Sequence, residues 1–170
     1  MIGNNIMSEF KLREASTSDL DALLPIYMDD SVNRFLNFEI LTKDEFKNIF
    51  DELLASGELF VFEKNNQVVA TCIVMRHKRR CAHVATLGTL ATHPQFHGQG
   101  IGTQFMQQLF KKLRDDGISR IELYVESDNL NAQHFYKKLG FQLEGVLKDY
   151  FKRPCEEQYV DEYLMAIIFK

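Results

Sequence analysis

The segment HPQFHGQGIGTQF, residues 93–105, sets glycines at 98, 100 and 102 and runs into an amphipathic stretch. A strand, a glycine-rich turn and a helix start in succession build an anion site. The first-turn N–H groups of a helix lack intrahelical acceptors, the positive end of the dipole points outward, and missing Cβ atoms let a diphosphate reach the backbone. Two familiar phosphate loops do not fit. A dinucleotide fingerprint G-x-G-x-x-G needs glycine at 103, where Thr103 stands, and a Walker loop needs a lysine that follows none of these glycines. The plain alternative is a tight strand-to-helix turn that holds no ligand.

A second segment, VESDNLNAQHFYKKLGF at 125–141, places Asn129, Ala132 and Tyr136 at regular spacing on one expected helix, closed by Gly140. Together the two segments resemble the GNAT superfamily of acetyl-CoA-dependent N-acyltransferases. Its pyrophosphate signature is Q/R-x-x-G-x-G/A, here His97-Gly98-Gln99-Gly100-Ile101-Gly102. Its second signature resembles N-x-x-A-x-x-x-Y-x-x-x-G-F, here Asn129 through Phe141. The resemblance spans roughly residues 8–169, because the order of elements agrees too.

That likeness implies acetyl-CoA as co-substrate and assigns residues to it. The strand before the loop would splay from its neighbour and offer the backbone of Leu90, Ala91 and Thr92 to the pantetheine arm. His97 and the amides of Gly98, Gln99, Gly100, Ile101, Gly102 and Thr103 would wrap the diphosphate. Asn129 would hydrogen-bond the pantetheine, and Tyr136 would stand beside the thioester sulfur as general acid. An alkylammonium has a pKa near ~10 and must lose a proton before it attacks. Attack creates an oxyanion that a fixed strand N–H can stabilise. A thiol pKa of about 8.5 makes the thiolate a fair leaving group, so a proton donor helps without deciding the rate. Most of the acceleration comes from holding amine and thioester together. No metal and no covalent enzyme intermediate are required.

Two positions depart from the family pattern. His97 stands where glutamine or arginine is usual; histidine can donate to phosphate, with a dependence on pH. The strand HVATLGTLATHP lacks the glutamate that relatives often use as base. Glu126, at the end of the next strand, becomes the candidate base, against a solvated surface carboxylate or a water chain.

The elements that must position these residues can be read in turn. Residues 9–15 alternate like an edge strand, and TSDLDALLPIYMDD carries Leu20, Leu23, Leu24, Tyr27 and Met28 at helical spacing. SVNRFLNFEI resists typing. Thr42 and Glu45 form a capping box ahead of the stripe Phe46, Ile49, Phe50, Leu53 and Leu54, which Gly57 stops. ELFVFEK, Asn65-Asn66 and QVVATCIVMRH read as a hairpin whose second strand is apolar on both faces. HKRR is a turn, and a strand over roughly 83–92 leads to the glycine loop. A helix to about Asp115, the strand ISRIELYVE, a helix from Asp128 to Leu139 and two strands complete the chain. The order β-α-α-β-β-β-α-β-α-β-β predicts an α/β mixed sheet, with parallel pairing wherever a helix separates two strands.

Composition bounds the rest. With 170 residues, the chain predicts a single domain over 8–170, residues 1–7 being a frayed tail in which Met7 is an alternative start. A net charge of −4 argues against nucleic acid, and no apolar window is long enough to span a membrane. The start shows no secretory signal, and three cysteines without framework spacing predict a reducing cytoplasm. Cys72, His77, Cys81 and His83 match no zinc spacing, so no metal is expected. The acceptor should enter opposite the coenzyme, between the first two helices with their connection (29–41) and the C-terminal strands. Asp29, Asp30 and Glu39 could attract a cation there or form a solvated face. The tail resembles that of members acting on free amino acids or other small amines and, less closely, of enzymes acetylating protein N-termini. The expectation is a small-molecule amine acceptor, with a homodimer left open. Protein N-terminal acetylation and a non-catalytic acetyl-CoA sensor are the alternatives.

Overall fold

Alternation along the strands decides which layer each side chain joins. The computed structural model describes residues 10–154 and 156–170. Its elements are β1 (Phe10–Glu14), α1 (Leu20–Tyr27), α2 (Asp30–Asn33), α3 (Lys43–Ser56), β2 (Glu58–Lys64), β3 (Gln67–Arg76) and β4 (Val84–Thr92), then α4 (Ile101–Asp115), β5 (Arg120–Glu126), α5 (Leu130–Lys138), β6 (Gln142–Lys152) and β7 (Tyr159–Ile168). The strands form a mixed seven-stranded sheet in the order β1-β2-β3-β4-β5-β7-β6. The expected tail over 1–7 lies outside the described residues.

Within β2, Leu59 and Val61 join the layer of α1 and α3, whereas Phe60 and Phe62 join that of α4 and α5. The neighbouring β3 does the same with Ile73 on one face and Cys72 and Val74 on the other. That is why its sequence is apolar on both faces. Phe46 and Phe50, 0% and 1% exposed, seat the α3 stripe on the sheet. Burying such a side chain contributes about 1.5–3 kcal/mol.

Local signals place the helix ends. Thr42 Oγ1 accepts from the Glu45 N–H at 3.4 Å, and the Glu45 carboxylate accepts from the Thr42 N–H at 2.9 Å, so the capping box forms. Gly57 ends α3 for a reason the sequence does not show. Its backbone is extended, and a Cβ there would lie 2.6 Å from the Val74 carbonyl oxygen. Close approach of β3, not a left-handed cap, demands the glycine. The untyped stretch after α1 yields the single-turn α2 and then a loop. At the other end of the chain α5 starts at Leu130, not Asp128, because Asn129 is its N-cap.

Parallel pairing is found where one helix links two strands, between β4 and β5 across α4. It fails in two other places. Strand β1 pairs antiparallel with β2, because the helices between them return the chain to the end of the sheet where β1 finishes, so that Glu14 lies opposite Phe60. After α5, β6 runs parallel in direction to β5, yet β7 separates them and is antiparallel to both. No helix of the described residues is long and apolar enough to cross a membrane.

Candidate active site

Strands β4 and β5 pair from Val84/Arg120 to Leu87/Leu123 and then part. The expected splay is therefore present, and it leaves the ends of both strands facing a gap. A bulge sits at the fork: Gly88 opposes Ile73 and Ala91 opposes Thr71, so Thr89 and Leu90 together face Cys72. Thr89 has φ 45°, a left-handed backbone that costs a non-glycine residue about 1–2 kcal/mol. Buried Tyr27 holds it there. Its hydroxyl lies 3.2 Å from both Thr71 Oγ1 and Thr89 Oγ1, and 3.4 Å from the Thr89 carbonyl. Neither Thr89 nor Tyr27 is among the residues the sequence points to at the site; a glycine inside a strand, Gly88, is the available signal of a bulge.

Beyond Thr92 the chain makes one 3₁₀ turn, Pro94–Phe96, and enters the glycine loop. Gly98 and Gly100 have φ 74° and 76°, the left-handed region that favours glycine, and Gly100 is the N-cap of α4. A Cβ on either would meet nothing within 4 Å, so the loop's surface is open to an approaching group. His97 is turned differently from the expectation. Its Nε2 lies 2.8 Å from the Thr92 carbonyl oxygen, so Nε2 carries the proton and donates to β4. Only Nδ1 is left for an anion. The same contact occupies the Thr92 carbonyl expected to face the pantetheine. Gln99 Nε2 donates to the Gln95 carbonyl at 3.0 Å.

The other wall comes from β5 and α5. Asn129 caps α5 through Oδ1, which accepts from the Ala132 N–H at 3.2 Å, and its side chain also hydrogen-bonds the Glu126 carboxylate. Glu126, the last residue of β5, is 6% exposed, which overturns the reading of a solvated surface carboxylate. Burial pushes its pKa up to about 7; the charge of Glu162 adds to this, while Arg153 and Asn129 oppose it. Burial likewise holds the Tyr136 hydroxyl well above the usual phenol range, with the charges of Cys72 and Glu126 adding to it. Among the described residues that hydroxyl has no hydrogen-bond partner.

Apart from Gln99, every residue expected at the site lines one cleft of about 680 Å³. A second lobe of about 540 Å³ adjoins it and shares Gly88, Thr89, Tyr124 and Glu126 with it. This lobe is bounded by the loop after α2, by α3 and by β6 and β7, where the acceptor is expected to enter. Asp29 caps α2, accepting from the Ser31 N–H at 3.0 Å, and none of Asp29, Asp30 and Glu39 lines this lobe. Cys72 is buried in β3 and Cys81 exposed beyond it; among the described residues no group of His, Cys, Asp or Glu is placed to hold a metal.

A forked sheet with a glycine loop at a helix start, opening on a buried carboxylate and a tyrosine, is the architecture of an acyltransferase. The chain belongs to the acetyltransferase (GNAT) family, whose model matches residues 20–141. It is 31% identical over 168 residues to the L-amino acid N-acetyltransferase AaaT of Escherichia coli, covering 94% of this chain and 98% of that one. The ribosomal-protein-S18-alanine N-acetyltransferase from Escherichia coli superposes with a TM-score of 0.72 at 22% identity, covering 95% and 94% of the two chains. The yncA protein of Salmonella typhimurium, solved with its cofactor acetyl-CoA, superposes with a TM-score of 0.73 at 18% identity, covering 96% and 95%.

Proposed function

We propose that this N-acetyltransferase moves an acetyl group from acetyl-CoA to the primary amine of a small molecule, an amino acid or another small amine, by direct attack in a ternary complex. The observation that carries this reading is the β4/β5 fork, with the α4 amides at one end and Glu126 between its two lobes. The residues present suit the co-substrate: free helix-start amides and two left-handed glycines for a diphosphate, and Glu126 as the one acid lining that cleft among the described residues.

When bound, acetyl-CoA supplies the thioester carbonyl that is attacked and the thiolate that leaves. The amides from Gly98 to Thr103 hold the diphosphate, and the freed backbone of β4 aligns the arm toward the fork. Strand N–H groups left without a ladder there face the carbonyl oxygen as charge develops on it. Glu126 takes the ammonium proton, directly or through water. With its pKa at about 7 against about 10 for the amine, the transfer is uphill by roughly 4 kcal/mol, which a fast later step tolerates. Burial keeps Tyr136 protonated, so it is a standing hydrogen-bond donor to the leaving sulfur.

The experiment is acetyl-CoA calorimetry with coenzyme A release measured across a panel of small amines and short peptides. Binding together with release on small amines is the expected result. Release on peptides alone would move the acceptor to protein N-termini.

A further inference from the structure

The lobe opposite the glycine loop bears on the choice of acceptor, a choice that rests on the amine-acetylation reading above. Its walls are aromatic, with Phe35, Phe38, Tyr124, Tyr150 and Phe151 among them. The Tyr124 and Tyr150 rings stack at 6.4 Å with 8° between their planes. Its charged lining is acidic: Glu52, Glu126 and Glu162. Among the described residues no lysine or arginine lines either lobe, and none of the three acids has an ion-pair partner. Glu126 is 6% exposed and still opens into both lobes, an unpaired buried acid at the point where they meet.

Two guanidinium groups stand at the edge of this lobe. Arg153 lies over the rings of Phe35 and Phe151 at 5.5 and 5.4 Å, and Arg34 over Phe35 at 6.0 Å. Both are already engaged. Arg153 donates to the two Asp128 carboxylate oxygens at 2.8 and 2.9 Å and to Glu156 at 3.1 Å. Arg34 pairs with Glu156 at 2.9 Å. Two cations matched with two carboxylates leave that cluster neutral.

A free amino acid brings a carboxylate beside its amine. In this lobe that carboxylate would face acids with no unpaired cation to receive it, and like-charge juxtaposition is strongly disfavoured. We propose that the acceptor is a primary amine on an apolar or aromatic body, with no carboxylate next to the amine. Its ammonium end faces Glu126 and Glu162, and its body lies along the rings, whose faces also favour a cation. This preference separates the chain from the amino-acid acetyltransferase that it resembles at 31% identity.

The test compares matched acceptors with the full chain and acetyl-CoA, reading coenzyme A release: tyramine against tyrosine, and leucinamide against leucine. kcat/KM for the carboxylate-free member is expected to exceed that of its partner by about tenfold or more. Glu162→Gln is expected to narrow the ratio, whereas a merely structural loss would lower both members alike. A leucine-first tripeptide amide, which also lacks the adjacent carboxylate, shows whether a chain end or a small amine supplies this chemistry. Amino acids used as well as or better than their partners overturn the inference. Acetyl-CoA bound in calorimetry but released with no acceptor overturns the amine-acetylation reading itself, and this inference with it.

Discussion

Glu126 and Glu162 stand opposite each other on the paired strands β5 and β7, and both line the second lobe. Burial raises the pKa of each, and the charge of Glu162 adds to the rise at Glu126. Two carboxyl groups so placed are each harder to ionise than in water. The site is therefore built at a cost in stability.

The cost has a sign and a range of pH. In the folded chain Glu126 titrates at about 7, against an ordinary 4.5. Between those values the folded state keeps a proton that the unfolded state has released. Stability therefore falls as pH rises from about 4.5 to about 7 and stays lowered above that. The rise is worth on the order of 3 kcal/mol. Glu126→Gln should remove this part of the slope, so urea denaturation at pH 5 and pH 8 should show a smaller loss in the variant than in the parent. Turnover in the parent should climb with an apparent pKa near 7, a limb that the variant lacks. Identical pH slopes in both proteins would count against the buried carboxylate.

The glycine loop makes a different prediction. Gly100→Asp sets a carboxylate and a Cβ at a helix start proposed to hold a diphosphate. With φ at 76°, the substitution costs about 1–2 kcal/mol of stability, and no neighbour lies within 4 Å to clash. The fold should survive while acetyl-CoA affinity drops by about a hundredfold or more. Unchanged affinity in calorimetry would remove the loop from the coenzyme site.

Much of this site was legible in the sequence because glycine spacing and helical periodicity are local signals. Gly98, Gly100 and the α4 stripe announce a turn and a helix wherever the rest of the chain lies. What escaped depends on pairing at a distance. Nothing near Thr89 in sequence indicates Tyr27, 62 residues away, whose hydroxyl fixes the bulge. The tilt of His97 onto the Thr92 carbonyl depends on the 3₁₀ turn between them. Glu162 joins Glu126 only because β7 inserts beside β5, where the expected parallel rule would have put β6.

Tyr27 is open to a test as a positioning residue. Tyr27→Phe keeps the ring among Phe38 and Phe46, which it packs against at 5.8 Å each, and deletes only the hydroxyl that reaches Thr71 and Thr89. Stability should fall by about 1–2 kcal/mol. If the bulge sets the line of β4 at the fork, kcat should fall severalfold while affinity for the diphosphate end, measured with 3′,5′-ADP, stays unchanged. A loss of stability with kcat intact would make this hydroxyl a core hydrogen bond and nothing more.

Tyr136 is the sharpest case, because a tyrosine on an apolar helix is ordinarily packing. Its ring does pack, with the Phe135 and Phe141 centroids at 5.5 and 5.7 Å. The hydroxyl has another disposition: Tyr136 lines the cleft proposed for the coenzyme, and its hydroxyl has no hydrogen-bond partner among the described residues. A core tyrosine would normally satisfy that group within the protein. Tyr136→Phe leaves the ring contacts in place, so stability should change by about 1 kcal/mol or less. The hydroxyl is held protonated by burial, and full transfer of its proton to a thiolate of pKa about 8.5 is uphill, so it acts chiefly by donating a hydrogen bond as charge builds on sulfur. Turnover should fall by roughly ten- to a thousandfold without vanishing, since the thiolate leaves fairly well unaided. Acetyl-CoA affinity should hardly move, because the lost interaction belongs to the transition state. Measuring both quantities on the same variant decides the matter. Full activity returns Tyr136 to the core, and lost binding with normal chemistry makes it a coenzyme contact only.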